Sequence, residues 1–200
     1  LKINSKREII GSFSAASNVT GIISDYKKIY VMMKRYGATV AFDAASFSSH
    51  DNLDADYFDA LFLSPHKLLG GVGSCGLLAI KKELVKSDKP TFAAGGTVSY
   101  VSRSSHFFAP NVERTEEGGT QHVMGLIRAA LAYRLRNEVG LDVIKSREDE
   151  LTKQFCEGLD NIPEVVSYCP RAVPRLPIFA FNVKGVSPYD FAEALSEDYG

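Results

Sequence analysis

The chain has no tryptophan, only three cysteines among its 200 residues, and no surplus of charge of either sign. Its 23 lysines and arginines face 24 aspartates and glutamates, for a net charge of -1. Near-neutrality gives no electrostatic case for a nucleic-acid partner or for an anionic membrane surface. Apolar runs break at Lys, Asp or Gly well before the roughly 20 residues that a spanning helix needs, so no membrane partner is expected. Cys75, Cys156 and Cys169 are odd in number, widely spaced and without a Cys-x-x-Cys pair. That pattern argues against a disulfide framework or a zinc site and for a reducing compartment, the cytoplasm or an organellar matrix. His50, His66, His106 and His122 lack metal-ligand spacing, and no metal is expected. The start, Leu1-Lys2-Ile3-Asn4, has neither an initiator Met nor a signal-peptide apolar region, and it reads as the interior of a longer polypeptide. No internal repeat or low-complexity segment interrupts the chain.

What remains is an ordinary globular composition, 45% hydrophobic, enough for one large core or for one domain and part of another. Arg7 to Phe13 reads as a short strand. Ser24 or Asp25 is positioned to cap a helix over 25–36, with Ile29, Met32, Met33 and Tyr36 on its apolar face and Gly37 as its stop. Thr39 to Phe42 is the next strand, ending at Asp43. The strand–helix–strand order predicts an α/β fold with a mostly parallel sheet. In such sheets ligands gather beyond the carboxyl ends of the strands. Asn18, Asp43 and the group Ser64-Pro65-His66-Lys67 all fall at or just past such ends.

The last group organises the rest. A buried-strand run, Ala60 to Leu63, stops at Ser64-Pro65-His66-Lys67, a glycine-rich turn follows, and a second apolar run covers 76–80. A lysine at such a point either snorkels into solvent or, if desolvated, becomes a usable amine nucleophile. Asp43, after Val40-Ala41-Phe42 and before two alanines, reads as desolvated. It then either needs a cationic partner or caps the following loop through backbone amides. The glycines 70–73 match neither the Walker pattern nor a dinucleotide fingerprint and read as a tight strand connection.

Ser64-Pro65-His66-Lys67 followed by Gly70-Gly71-Val72-Gly73 resembles the cofactor-lysine signature of the class V aminotransferases. These are fold-type I pyridoxal-phosphate enzymes that include cysteine desulfurases and selenocysteine lyases. Ala41-Phe42-Asp43-Ala44-Ala45 resembles the family's Asp-Ala-(Ala/Val)-Gln segment, with Ser46 where the glutamine usually stands. Ser17-Asn18-Val19-Thr20-Gly21 is similar to its Ser-Asn-Val-(Thr/Leu)-Gly segment, and Glu117-Gly118-Gly119-Thr120 to its Glu-x-Gly-Thr. The resemblance implies that Lys67 is the Schiff-base lysine and the catalytic residue. It implies that Asp43 holds the pyridinium of pyridoxal 5'-phosphate and that Ser46 contacts the phenolic oxygen. Ser64 and His66 would hold the rest of the cofactor, chiefly its phosphate, and Asn18 would lie near the ring and the substrate carboxylate. Thr120 would be donated across a homodimer interface to the partner's phosphate site. The implied fold is the aspartate aminotransferase type, and the implied substrate is an amino acid. The family's cysteine nucleophile and carboxylate-binding arginine fall outside this stretch, and none of the three cysteines matches the former.

Residues 1–121 are accordingly expected to form the C-terminal part of a large cofactor-binding domain. Residues 122–200 should form a linker helix and an incomplete α+β small domain. Lys81 to Lys89 reads as a charged helical or turn segment, and Ser102 to Asn111 as a surface or interface loop. A helix over 122–139 should bury Met124, Ile127, Ala130, Leu131 and Leu135. Thr120 just ahead of it is either a plain N-cap or, with the preceding glycine, an anion site. A second amphipathic helix over 142–159, strands at 165–168 and 177–183, and a helix from Ser187 complete the reading. His50 is assigned a structural role. The alternative to an enzyme is a non-catalytic oligomerisation or binding module that keeps the fold without the cofactor.

Overall fold

The computed structural model describes residues 7–168 and 171–200; Cys169 lies outside them. Its main sheet has four strands in the order β1 (Ile10–Ser14), β2 (Thr39–Asp43), β3 (Ala60–Leu63) and β4 (Leu77–Ile80). The first three are parallel and β4 runs antiparallel to β3, the mostly parallel sheet expected from the sequence. Helix α1 (Tyr26–Lys34) joins β1 to β2. It starts where the Asp25 carboxylate accepts the Lys28 N–H at 3.1 Å, and it is followed by Gly37 at φ +67°, a conformation that glycine adopts without strain.

Val40 and Phe42 are fully buried, and their parallel neighbours place Ala15, Ala16, Ala44, Phe47 and Leu61 around them. Burying a side chain such as Phe42 contributes roughly 2–3 kcal/mol. The helix covers this core with Tyr26, Ile29, Tyr30 and Met33. The expected face was rotated: Met32 and Tyr36 are 50% and 57% exposed. Tyr36 lies beyond the end of the helix, and the two tyrosines supply the packing surface instead, meeting Phe42 and Tyr57 edge-on.

Strands β5 (Val98–Val101) and β6 (His106–Phe108) form an antiparallel hairpin, so the segment 102–111 is part hairpin rather than loop throughout. A short helix α2 (Val112–Glu116) follows, capped by Asn111. Within 81–89 only Lys82–Leu84 is helical, as a single 3-10 turn. Helix α3 (Val123–Val139) runs to Gly140, whose φ of +91° turns the chain into α4 (Leu141–Asp160). Its buried positions are Gly125, Ala129, Ala132 and Arg136. Met124, Ile127, Leu131 and Leu135 are exposed, the reverse of the face read from apolar periodicity. Small side chains let α3 pack on the Pro65–Lys67 turn and on α4, and the large apolar ones are left exposed. An antiparallel pair, β7 (Val165–Ser167) with β8 (Phe181–Val183), and helix α5 (Pro188–Tyr199) end the chain. The second strand is shorter than the expected 177–183. No helix is long and apolar enough to cross a membrane among the described residues.

Leu176, far along the chain, is 3% exposed and belongs to the same core as Phe42. The main chain around it bonds to the β1–α1 turn: Leu176 N–H donates to Gly21 O and Ile23 N–H to Pro174 O. The last third of the sequence is thus stitched into the first.

Candidate functional site

Parallel pairing in register sets the strand ends side by side. Ser14 lies opposite Asp43, and Asp43 opposite Phe62. The three polar groups that follow these ends therefore emerge along one edge of the sheet, where parallel strands collect ligands. The turn after β1 carries Asn18, exposed, on a bend that the Ser17 hydroxyl secures by accepting the Val19 and Thr20 N–H groups.

Asp43 ends β2. It is exposed rather than desolvated, although it is still paired with Ser14 and Phe62. Its Oδ1 accepts the Ala45 N–H at 2.8 Å, and this capping fixes the turn that presents Ser46. Beyond β3, Ser64 opens a 3-10 turn, Pro65–Lys67, in which Pro65 is fully buried and His66 and Lys67 are exposed. The Ser64 hydroxyl makes no capping bond, so it stays available to a ligand. Lys67 Nζ donates to Ser46 Oγ at 3.2 Å, linking the two strand-end turns directly. The lysine is not desolvated by the described residues.

The glycine turn after Lys67 is built for close approach. A Cβ on Gly71 would sit 1.9 Å from Pro65 O, so the chain can fold back on the lysine turn only with glycine there. The start of α3 clamps the same loop, with His122 Nε2 3.2 Å from Gly73 O and Arg128 Nη1 donating to Val72 O at 3.0 Å. His122 takes the N-cap position of α3 without a side-chain bond. Thr120 is therefore not the cap; it is exposed in the preceding turn, and no hydrogen bond joins it to the other candidates among the described residues. Of the sequence-predicted set, the structure joins Lys67 to Ser46 and carries Asp43, Ser64, His66 and Asn18 on the same sheet edge. Thr120 stands apart.

Several supporting residues went unread in the sequence. Asp59, 2% exposed, binds Lys34 Nζ at 2.7 Å, Lys81 Nζ at 3.0 Å and the Val40 N–H at 2.9 Å, with Tyr30 Oη at 3.3 Å. Burial is the largest single influence and pushes its carboxyl up. The Lys34, Val40 and Lys81 bonds together outweigh it and hold the group down, from 3.8 to about 2. Lys81 is correspondingly pushed up, first by its bond to Asp59. This cluster ties α1, β2 and the end of β4 together beneath the site.

Arg136 is the second. Its guanidinium reaches Ser48 O and, at 2.7 Å, Asn52 Oδ1, and it lies over the Tyr133 ring. His50 Nδ1 pairs with Glu148 Oε1 at 2.6 Å, consistent with its structural assignment. Helices α3 and α4 thereby anchor the segment leading out of the Ser46 turn. The stripe Gly125, Ala129, Ala132, Arg136 was a readable signal: small residues at helical spacing mark a close-packed face.

No His/Cys/Asp/Glu cluster suited to a metal occurs among the described residues. The groups at the sheet edge are an amine that can condense with an aldehyde, hydroxyls and an imidazole that can hydrogen-bond an anion, and a carboxylate that can pair with a cation. A cavity of about 410 Å³ lies elsewhere, between the 85–89 loop and the β6–α2 segment. The candidate site is an open edge rather than a closed pocket.

The family model for Aminotransferase class-V matches residues 2–200. A probable cysteine desulfurase of Pyrococcus abyssi is 33% identical over 184 residues, covering 90% of this chain and 45% of that protein. A probable cysteine desulfurase 2 of Mycobacterium leprae is 30% identical over 99% of this chain and 47% of its own length. Among solved structures, the apo cysteine desulfurase of Thermococcus onnurineus superposes with a TM-score of 0.85 at 31% identity, covering 94% of this chain and 48% of that one. The Escherichia coli cysteine desulfurase CsdA, in its S-sulfonic acid form, gives 0.85 at 27%, covering 98% and 48%. The chain spans about half the length of the curated relatives it matches.

Proposed function

Because the chain belongs to the class V aminotransferase family, we propose that it forms part of a pyridoxal-phosphate-dependent enzyme acting on an amino acid, by amino transfer or by removing sulfur from cysteine. The observation that carries this reading is the Lys67 turn at the end of β3, its amine bonded to Ser46 beside the aligned carboxylate of Asp43. Lys67 would hold the cofactor covalently, Asp43 would face the ring nitrogen, and Ser46 the phenolic oxygen. Ser64, His66 and, in a homodimer, Thr120 of the partner subunit would bind the remainder, chiefly the phosphate. Asn18 would flank the ring and the substrate carboxylate. Bound pyridoxal phosphate supplies an electron sink for the substrate α-carbon.

The chain's own residues then have separable tasks. Asp43 would place its carboxylate toward the ring nitrogen, and Ala45 N–H holds it in place. Lys67 takes and returns a proton at the α-carbon, with Ser46 Oγ steadying its amine. In this reading residues 1–121 belong to the cofactor-binding unit, and residues 122–200 to a linker helix and part of a smaller one. The named relatives make cysteine the first substrate to try.

The test is to add pyridoxal phosphate to the purified chain, reduce with borohydride and map peptides by mass. A pyridoxyl increment on the peptide containing Lys67, lost in Lys67→Ala, is the expected result. Uptake on other lysines alone, or equal uptake by Lys67→Ala, would overturn the reading.

A further inference from the structure

The segment Pro174–Ile178 is the longest-range contact made by the candidate site. It lies against the β1–α1 turn as a third short strand. Ala16 bridges Ile23, and Ile22 bridges Arg175 on its other side. The tip of this miniature sheet is Asn18-Val19-Thr20. Gly21, at φ +74°, closes the tip, its N–H donating to Ser17 O at 3.0 Å. A Cβ there would lie 2.6 Å from Leu176 O, so the strap and the turn touch with no space between them.

Arg175 is the polar member of this contact. Its Nη2 donates to Ile178 O and reaches Thr20 O at 3.5 Å, its Nε donates to Leu176 O at 3.4 Å, and its guanidinium lies over the Phe179 ring at 4.5 Å. Its Nη1 is buried with no partner among the described residues. A buried donor left unpaired is costly, so stability alone is a poor reason for an arginine here. An apolar side chain of similar length would fill the same space but leave the Thr20 and Ile178 carbonyls without this donor. What only the arginine provides is a fork that joins the strap's own carbonyls to the carbonyl two residues past Asn18.

We propose that Arg175 is a positioning residue: through Thr20 it fixes the turn that presents Asn18 to the site. The inference rests on the proposed pyridoxal-phosphate reading, since it assigns Asn18 a ligand to face. The strap thus carries the placement of the β7–β8 unit to the cofactor edge of the sheet.

The test compares Arg175→Met, which keeps the length and loses the fork, with Arg175→Lys, which keeps one cationic donor. In the cofactor-free chain, amide hydrogen exchange at Gly21 should accelerate about tenfold in Arg175→Met and less in Arg175→Lys, while Val40 in β2 is unchanged. The dissociation constant for pyridoxal phosphate should rise about five- to tenfold in Arg175→Met and in Asn18→Ala. The double variant should be no worse than either alone, because both act through one turn. Unchanged Gly21 exchange, or additive losses in the double variant, overturns the inference and leaves the functional reading intact. Failure of the unmodified chain to take up pyridoxal phosphate on Lys67 overturns both. If Arg175→Met does not fold, Arg175→Lys carries the same exchange and binding comparisons.

Discussion

At the scale of single residues, Asp59 and Gly71 hold the ground on which the site stands. Asp59 serves four partners: Tyr30 and Lys34 of α1, Val40 of β2 and Lys81 just after β4. Its carboxyl is held at about 2, below its ordinary 3.8. The stabilisation is therefore complete above about pH 4 and is lost as pH falls through the folded-state value near 2. Lys34 and Lys81 are 40% and 35% exposed, and solvent screening trims the linkage contribution to about 1–2 kcal/mol. Asp59→Asn should cost roughly 2–3 kcal/mol at pH 7 by urea denaturation. The same comparison at pH 2.5 should shrink it, and an equal loss at both pH values would sink the argument. Nothing in the sequence marks this residue. It is one aspartate between two strands, and only the folded packing of α1 and the antiparallel β3–β4 pairing bring lysines 25 positions before it and 22 after it to the same carboxylate. Gly71 differs, because its role follows from the glycine run itself. Gly71→Ala must displace backbone rather than a side-chain tip. It should cost about 1–3 kcal/mol and reduce pyridoxyl labelling of Lys67, whereas Gly70→Ala, open to solvent but at φ +80°, should strain the turn without closing on Pro65.

At the scale of elements, the strands of the main sheet were legible and the helix faces were not. Short apolar runs ended by Asp43 and by Ser64-Pro65 can be little else in an α/β chain, and they fixed the sheet edge where the candidates emerge. Helix faces were misread for a physical reason. In α3 the packing side is made of Gly125, Ala129, Ala132 and a buried arginine, which a search for large apolar side chains passes over. Asp43 was misread likewise: its neighbours in sequence are buried, but at the last paired rung of β2 its side chain is exposed. The arginine is the element's anchor. Arg136→Met removes its bonds to Ser48 O and Asn52 and its stacking on Tyr133. A loss of about 1–3 kcal/mol is expected, together with faster amide exchange across 47–51. Two residues away, Arg134 pairs with Glu138 at 2.7 Å with both side chains more than half exposed. Glu138→Gln should change stability by under about 0.5 kcal/mol. If the two substitutions cost the same, burial is not what makes Arg136 matter.

At the scale of the whole molecule, the question is whether the last third of the chain is a separate body or a part of the first. The hairpin of β7 and β8 and helix α5 have their own aromatic packing, Phe155 on Phe179 at 4.4 Å and Phe181 on Phe191 at 6.1 Å. The family resemblance puts a second unit from residue 122, and this local cluster lies within it. Yet Leu176 sits in the core with Ala15, Val40 and Phe42, and the bonds from Leu176 N–H to Gly21 O and from Ile23 N–H to Pro174 O, of 2.8 and 2.9 Å, extend that core's turn. Leu176→Ala would leave a cavity among residues more than 130 positions earlier, and cavities of this kind cost about 2–5 kcal/mol. For a chain of this size that corresponds to a melting temperature lowered by roughly 5–15 °C. The site makes the outcome more specific. The strap that carries Leu176 also carries Arg175, so the β1–α1 turn should loosen with the core, and Gly21 exchange should accelerate at temperatures well below the melt. If Leu176→Ala melts the β7–β8 unit alone and leaves Gly21 and Val40 exchange untouched, the two parts are independent bodies and the strap transmits nothing to the sheet edge.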